Sequence, residues 1–254
     1  MIKKSLVFLG LVLILSSCAS NKNIVYLNEA TPGTNSSVVE YQNTLQPDDI
    51  LIITVNSDEP ALAAPFNLMY LNTQSTELKN ITSDVFASYL VDQKGEIDFA
   101  GVGKVKLSGL TRIEAENKIK DLVSKQIIDP VINLRLINFK VSVMGEVVRP
   151  GPIRSEGERL TILEALSLAG DMTIYGKRED VMIIRETDGV KSVNYVDITK
   201  PDIIDSPFYY LNQNDVIYVK PNKTRVNSSV IGPNLTVGIS ALSLVVTIIA
   251  LSLR

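Results

Sequence analysis

Short strands and two capped helices alternate through the middle of this chain, and this alternation constrains its fold more than any other feature. The first strand is predicted at Ile50–Val55, a continuous run of mostly β-branched apolar residues that follows a turn. Thr111 with Glu114 and Thr161 with Glu164 have the spacing of capping boxes, and each box precedes a helical apolar pattern. Strands mixed with helices in this way predict an α+β fold.

The remaining elements are predicted from the helical and the strand-like spacing of apolar residues. Pro130 ends the first helix, and Gly170 has the character of a C′ residue at the end of the second. Further strands are predicted at Ser88–Asp92, as a pair within residues 95–109, as a pair joined near Asn138 and Phe139, and at Val181–Arg185, Ser192–Asp197 and Val216–Val219.

The composition excludes several classes of function. The chain has 254 residues, of which 45% are hydrophobic and 21% charged, so it is expected to fold around a buried core. A formal net charge of −3 argues against nucleic acid as a partner. The chain has no histidine and one cysteine, which removes Ser-His-Asp triads, HExxH zinc sites and multi-thiolate clusters. We predict no metal and no cofactor, which leaves carboxylate chemistry, lysine chemistry or no chemistry.

The N-terminus has the pattern of a secretory signal. Lys3 and Lys4 precede the apolar run Leu6–Leu15, and small residues lead to the sole cysteine, Cys18. The sequence LSSC closely resembles the lipobox of bacterial lipoproteins, which predicts removal of residues 1–17 and acylation of Cys18. Residues 18–44 are predicted to be a tether. An uncleaved anchor, or an ordinary signal beside a stray cysteine, is the alternative.

The C-terminus carries a second apolar segment. Leu235–Leu253 is 19 residues long, lacks charge and proline, and as a helix would reach about 28 Å, so we predict a transmembrane helix. A hydroxyl stripe follows one face of it, at Thr236, Ser240, Ser243 and Thr247. Three interpretations stay open for the stripe: hydroxyls bonded to carbonyls of the preceding turn, close helix–helix contact, or the lining of a watery lumen formed by several copies.

Other charged groups are weaker candidates. Lys220, Lys223 and Arg225 precede the apolar segment, where they could contact phosphorylated lipid headgroups, contact an acidic polymer, or be solvated. Asp48 and Asp49 are neighbours that would point to opposite faces of an extended chain, so they do not form a convergent catalytic pair.

Several motifs occur in an order that resembles a known family. LQPDDILIITV and YLVDQKGEIDFAGVGKVKLSGLTRIEAENKI resemble the export domain of the Wza-type outer-membrane polysaccharide export proteins. VSVMGEVVRPGPI, LTILEALSLAG and LNQNDVIYVKP resemble the soluble-ligand-binding β-grasp domain that follows it. The large exporters of this family carry two or more β-grasp domains, whereas this chain has room for one.

The resemblance implies a domain layout and a function. The fold class is α+β, with two small mixed domains followed by one C-terminal transmembrane helix. The predicted segments are a signal peptide at 1–17, a tether at 18–44, an export domain at 45–138, a β-grasp-like domain at 139–221, a linker at 222–234 and the helix at 235–253.

The implied function is export of capsular or extracellular polysaccharide by an outer-membrane lipoprotein, with its body in the periplasm. It would form a homo-oligomeric ring in the lipid bilayer and dock an inner-membrane polysaccharide co-polymerase or tyrosine kinase. No catalytic residue is predicted. A membrane-tethered glycan-binding or scaffold module without a pore is the alternative, and a carboxylate-dependent glycan hydrolase has no motif to support it.

Overall fold

The computed structural model describes residues 24–28, 30–31, 43–68, 88–155, 157–187 and 189–230, together with separate positions between 237 and 248. Its strands are β1 (Ile50–Asn56), β2 (Tyr89–Leu90), β3 (Glu96–Phe99), β4 (Gly103–Lys106), β5 (Val131–Leu136), β6 (Lys140–Gly145), β7 (Gly151–Arg154), β8 (Gly176–Thr187), β9 (Val190–Val196) and β10 (Val216–Pro221). Its helices are α1 (Pro60–Ala63), α2 (Arg112–Val123), α3 (Ile162–Leu168) and α4 (Lys223–Val230). The mixed α+β architecture is therefore as the sequence predicts.

The first module is built around a core of buried residues between Leu45 and Leu134. Its antiparallel sheet has the order β2-β1-β5, and β3 and β4 form a separate hairpin. Helix α2 begins with the predicted capping box, in which the Thr111 side chain and the Glu114 side chain each bind the other's backbone N–H. Both orphan donors at the start of the helix are thereby satisfied, and α2 buries Ala115, Ile119 and Val123 at four-residue spacing.

The second module is built around a separate core of buried residues between Phe139 and Val219. Its five-stranded sheet has the order β7-β6-β10-β8-β9, in which β6 and β10 are parallel and the other pairs are antiparallel. Helix α3 begins with the second predicted capping box, at Thr161 and Glu164, and buries Ile162, Ala165 and Leu166. The two capping boxes thus place one helix on each core.

A short N-terminal segment precedes the first module in the sequence but packs against the second module. Residues Ile24–Asn28, which we call the N-terminal strap, lie within the segment predicted as a tether, yet Tyr26 and Leu27 pack against the second core. The backbone N–H groups of Leu27 and Asn28 donate to the carbonyl oxygens of Ile198 and Thr199 at 3.2 and 2.7 Å. The second module is therefore built from a part of the chain that precedes the first module in the sequence and from a part that follows it.

The transmembrane part of the predicted fold class is wrong. Among the residues that the structure describes, no helix is both long enough and apolar enough to cross a membrane. The described positions of Leu235–Leu253 are short helical stretches separated by residues that lie outside the description. Apolarity and length indicate only that a segment could span a bilayer, and the described helices do not reach the required length.

Candidate functional site

Two of the predicted site residues, Cys18 and Thr236, lie outside the described residues. Ser240, Ser243 and Thr247 are helical and exposed. The hydroxyl of Ser243 donates to the Ser240 carbonyl at 2.9 Å, and that of Thr247 donates to the Ser243 carbonyl at 2.8 Å. These are the bonds to the preceding turn that one of the three interpretations expects. The lumen-facing role stays a prediction, and it depended on the transmembrane helix.

The structure does not bring the three predicted basic residues together. Lys220 projects from strand β10, whereas Lys223 is the first residue of α4 and Arg225 lies in its first turn. Arg225 pairs with Glu146 at 3.2 Å, and its guanidinium lies 5.5 Å from the centre of the Tyr175 ring. Lys220 therefore belongs to the sheet, and Lys223 and Arg225 belong to the end of the module where α4 begins.

Lys220 lies on a sheet face that no described helix covers. Alternate residues of β6, β8 and β10 are fully buried against α3 and the second core, so the intervening residues point to the other side. The strand register places four of these residues in one row across four strands: Met144, Tyr218, Met182 and Tyr195. We call this side of the sheet the open face, and Tyr195 on it is 58% exposed.

A charged group adjoins this aromatic row. The Lys220 ammonium lies 4.1 Å from the centre of the Tyr195 ring and donates to Asp180 at 2.9 Å. The hydrogen bond to Asp180 raises the pKa of Lys220, and the same bond lowers the pKa of Asp180. Lys220 is therefore held as a cation beside an aromatic ring, an arrangement that suits a partner with both an apolar face and negative charge.

The two modules meet at a small polar joint. The Asn138 side chain accepts the Ile50 N–H at 2.9 Å and donates to the Asp48 carbonyl at 2.9 Å. Its backbone carbonyl accepts from the buried amide of Gln213 at 3.1 Å. Leu136, just before this joint, packs against both cores. A single asparagine thus binds the opening turn of the first module and the closing turn of the second.

A buried carboxylate lies beside the joint. Asp49 is 1% exposed, and its Oδ2 accepts the Gln46 N–H at 2.8 Å. Burial raises the pKa of this carboxyl to about 6; the Gln46 N–H and the nearby Gln213 amide lower it in part, while the charge of Asp48 adds to it. Asp48 takes the turn conformation at a φ of 71°. Sequence reasoning expected a turn role for both aspartates and missed the burial of Asp49.

Comparison with known proteins finds a family model and relatives whose descriptions all mention polysaccharide export. Residues 37–137 match a family model described as a polysaccharide biosynthesis/export protein. A Ralstonia solanacearum protein named EPS I polysaccharide export outer membrane protein EpsA is 27% identical over 193 residues, covering 73% of this chain and 50% of the relative. Its namesake in Ralstonia nicotianae is 28% identical over 141 residues, covering 54% and 37%. The chain thus spans half or less of the length of these relatives. The resemblance to polysaccharide export proteins that was seen in the sequence is confirmed.

Proposed function

We propose that this chain, whose residues 37–137 match the model of a polysaccharide biosynthesis/export family and which resembles the Wza-type proteins, acts in the export of extracellular or capsular polysaccharide across the outer membrane. The family match carries this proposal, because it covers almost the whole first module, including sheet β2-β1-β5 and helix α2. Both curated relatives are named outer membrane export proteins, which supports the outer membrane as the location.

The proposed role is transport without catalysis. The names of the family and of the relatives describe export. The two fully buried carboxylates among the described residues have structural partners: Asp49 closes a turn, and Asp215 pairs with Arg185 at 2.7 Å. A glycan hydrolase needs two carboxylates that converge on one bond, and these two lie in the cores of different modules.

The open face is the surface that we propose for contact with the polymer. Sugar rings present C–H faces that pack against aromatic rings, and Tyr195 and Tyr218 supply rings on either side of Met182 on this face. Lys220 lies beside them and would attract an acidic sugar. Of the three basic residues predicted from the sequence, Lys220 is therefore the polymer-contact candidate.

Assembly into a ring that forms a channel, and docking to an inner-membrane co-polymerase or tyrosine kinase, are the further parts of this proposal. Strand β9 supports self-association, because it is a seven-residue edge strand with exposed Val190, Val193 and Tyr195. An exposed apolar edge of this length is suited to pairing with another strand. The alternative is a membrane-tethered glycan-binding or scaffold module, for which the open face would serve without a ring.

Surface polysaccharide in living cells tests the proposal. Loss of the protein should abolish surface polymer while repeat-unit synthesis continues or stalls behind a periplasmic backlog. Tyr195→Ala should reduce surface polymer at normal protein abundance, whereas Ser192→Ala, on the other face of the same strand, should leave it unchanged. Normal surface polymer in cells that lack the protein would contradict the export function.

Native mass measurement of the detergent-extracted protein separates the two candidates. A closed oligomer supports the ring, and a monomer that still binds the polymer supports the scaffold module. Purified protein that depolymerises the glycan would contradict both, because neither requires a catalytic group.

A further inference from the structure

The N-terminal strap and the start of helix α4 lie at one end of the second module. The N-terminal strap contacts this end through Tyr26, whose hydroxyl donates to Asp171 and whose ring lies 5.3 Å from the Arg178 guanidinium. The Asn222 N–H, just before helix α4, donates to the Tyr175 carbonyl at 2.7 Å. A cleft of about 350 Å³ lies between them and is lined by residues that include Ile24, Ile174, Lys177 and Thr224.

Contacts among the surrounding loops make this end one continuous surface. The Val148 N–H donates to the Asp171 carbonyl at 3.0 Å, and the Arg149 N–H donates to the Ala169 carbonyl at 2.8 Å. The Thr173 N–H donates to the Glu146 carbonyl at 2.9 Å. We call residues 24–26, 146–149, 168–177 and 222–226 the exit surface.

The exit surface exposes large apolar side chains at its loop tips. Ile174 is 64% exposed, Val148 62% and Leu168 51%, and Ile24 and Val226 are also exposed. Single exposed apolar residues are ordinary, but several of them on one continuous surface indicate a contact with a partner or with lipid.

The charge of the same surface is positive, in contrast to the formal net charge of −3 for the chain. Its cations are Arg149, Lys177, Lys223 and Arg225, and its anions are Glu146, Asp171 and, in the lining of the cleft, Glu179. Glu146 and Asp171 are engaged within the surface, Glu146 by Arg225 and Asp171 by Tyr26. Exposed apolar tips among cations match the boundary of an anionic bilayer, where apolar groups enter the interface and cations meet phosphates.

The distance to the predicted acyl site supports the same occupant. Cys18 precedes Ile24 by six residues, and six residues reach at most about 22 Å when fully extended. An acyl chain on Cys18 would therefore hold the strap, and with it the exit surface, close to the bilayer. The apolar segment Leu235–Leu253 follows α4 in the sequence.

We propose that the exit surface lies against anionic lipid headgroups, with Ile174, Val148 and Leu168 at the depth of the interface and Arg149 and Lys223 on phosphates. The proposal rests on the membrane location in the proposed function but not on export. It assigns Lys223 and Arg225 to lipid and leaves Lys220 to the open face. The first module, across the Asn138 joint, does not contribute to the contact.

A depth measurement on the full-length acylated protein tests this assignment. Cys18 is the sole cysteine and is consumed by acylation, so Ile174→Cys introduces one site for a fluorophore, and mass spectrometry confirms one label per chain. The protein is reconstituted in phosphatidylethanolamine–phosphatidylglycerol vesicles that contain a headgroup-nitroxide lipid. Quenching at position 174 should be at least about threefold that of Ile128→Cys, the matched control, where Ile128 is 93% exposed in the first module.

The charge requirement is tested with the same label. Arg149→Gln together with Lys223→Gln should weaken the quenching, since each cation near an anionic surface contributes about fivefold in affinity. Lys104→Gln together with Lys125→Gln, both exposed in the first module, is the matched control and should change nothing. High salt and pure phosphatidylcholine vesicles should also weaken it.

Several outcomes would overturn the proposal, and they can be told apart from failure of the export function, which is measured in cells. Equal quenching at positions 174 and 128 would mean that the surface faces water, a second copy or another protein. Equal quenching in anionic and neutral vesicles would remove the headgroup assignment. Val148→Cys provides a second position on the surface, so a poorly folded Ile174 variant does not decide the result.

Discussion

Asp49 and Asp215 occupy the same position in two turns of the same geometry, one in each module. Their Oδ2 atoms accept the backbone N–H three residues upstream at 2.8 Å, from Gln46 and Asn212 respectively. Asp215 also forms an ion pair with Arg185 at 2.7 Å, whereas no cation acts on the pKa of Asp49 within the described part of the chain. Among the described residues, the carboxylate of this turn therefore has Arg185 as its counter-charge in the second module and has no counter-charge in the first.

Asp49→Asn should stabilise the protein at neutral pH. Burial raises the pKa of the Asp49 carboxyl from 3.8 to about 6, so the folded state holds the proton more tightly than the unfolded state. The contribution of Asp49 to stability is greatest below about pH 4, falls as the pH rises towards 6 and is constant above it. We expect the variant to gain about 1–3 kcal/mol in the free energy of unfolding at pH 7–8 relative to pH 4. Urea denaturation across this range measures it, and a gain that does not vary with pH would contradict it.

Asp215→Asn should have the opposite effect. Arg185 is almost fully buried beside Asp215 and also donates to the Tyr210 carbonyl at 3.0 Å, so the substitution leaves a buried guanidinium without its counter-charge. Breaking a buried pair in this way costs about 3–5 kcal/mol, and we expect a loss of that order at pH 7. Glu186→Gln, which breaks the exposed pair with Lys191, is the control and should change stability by less than about 1 kcal/mol. Similar effects for the two variants would refute the argument from burial.

Gly145→Ala should destabilise the second module far more than Gly103→Ala destabilises the first. Both glycines have φ near +90°, which costs any other residue about 1–3 kcal/mol. A Cβ on Gly145 would also lie 2.1 Å from the Val219 carbonyl oxygen of the paired strand β10, whereas nothing lies within 4 Å of a Cβ on Gly103. We expect a loss of about 1–2 kcal/mol for Gly103→Ala and clearly more for Gly145→Ala. Thermal unfolding compares them, and equal losses would show that the β10 backbone moves aside freely.

Cys18→Ala should abolish acylation, since the lipobox pattern predicts that this cysteine is the acceptor of the lipid. Growth with labelled palmitate, followed by purification, measures incorporation directly. Ser17→Ala keeps a small residue before Cys18 and is the control that should retain the label. Persistent labelling of the Cys18 variant would show that the lipobox interpretation is wrong.

Local chemistry accounts for the parts of the fold that the sequence predicts. The capping boxes at Thr111 and Thr161 involve residues three apart, so both helix starts are legible in the chain. The parallel pairing of β6 with β10 cannot be predicted in this way, because the two strands are more than 70 residues apart and no local sequence pattern links them. The same limit hid the N-terminal strap, a short apolar run within a mostly polar segment that indicates a tether, because its contacts are with residues 171–199.

The candidate sites show the same contrast between neighbours in the sequence and contacts between distant strands. Sequence order grouped Lys220 with Lys223 and Arg225, but the end of strand β10 separates them into two surfaces. The open face was invisible because its row joins one residue from each of four strands, and only the register reveals that Tyr195 and Tyr218 share it. The predicted transmembrane helix was wrong, since no helix among the described residues is long and apolar enough to span a membrane, and hydropathy measures only the tendency of a segment to leave water.

The order in which the chain visits its modules has a mechanical consequence. The N-terminal strap is bound to the second module at Ile198 and Thr199, the first module is built next, and the chain then returns through Leu136 and Asn138. The first module is thus joined to the second by two covalent strands of polypeptide. The closed loop limits how far the first module can move from the second while the hydrogen bonds of the strap to Ile198 and Thr199 stay intact. If the strap detaches, the return segment is the remaining link between the strap's binding site and the first module.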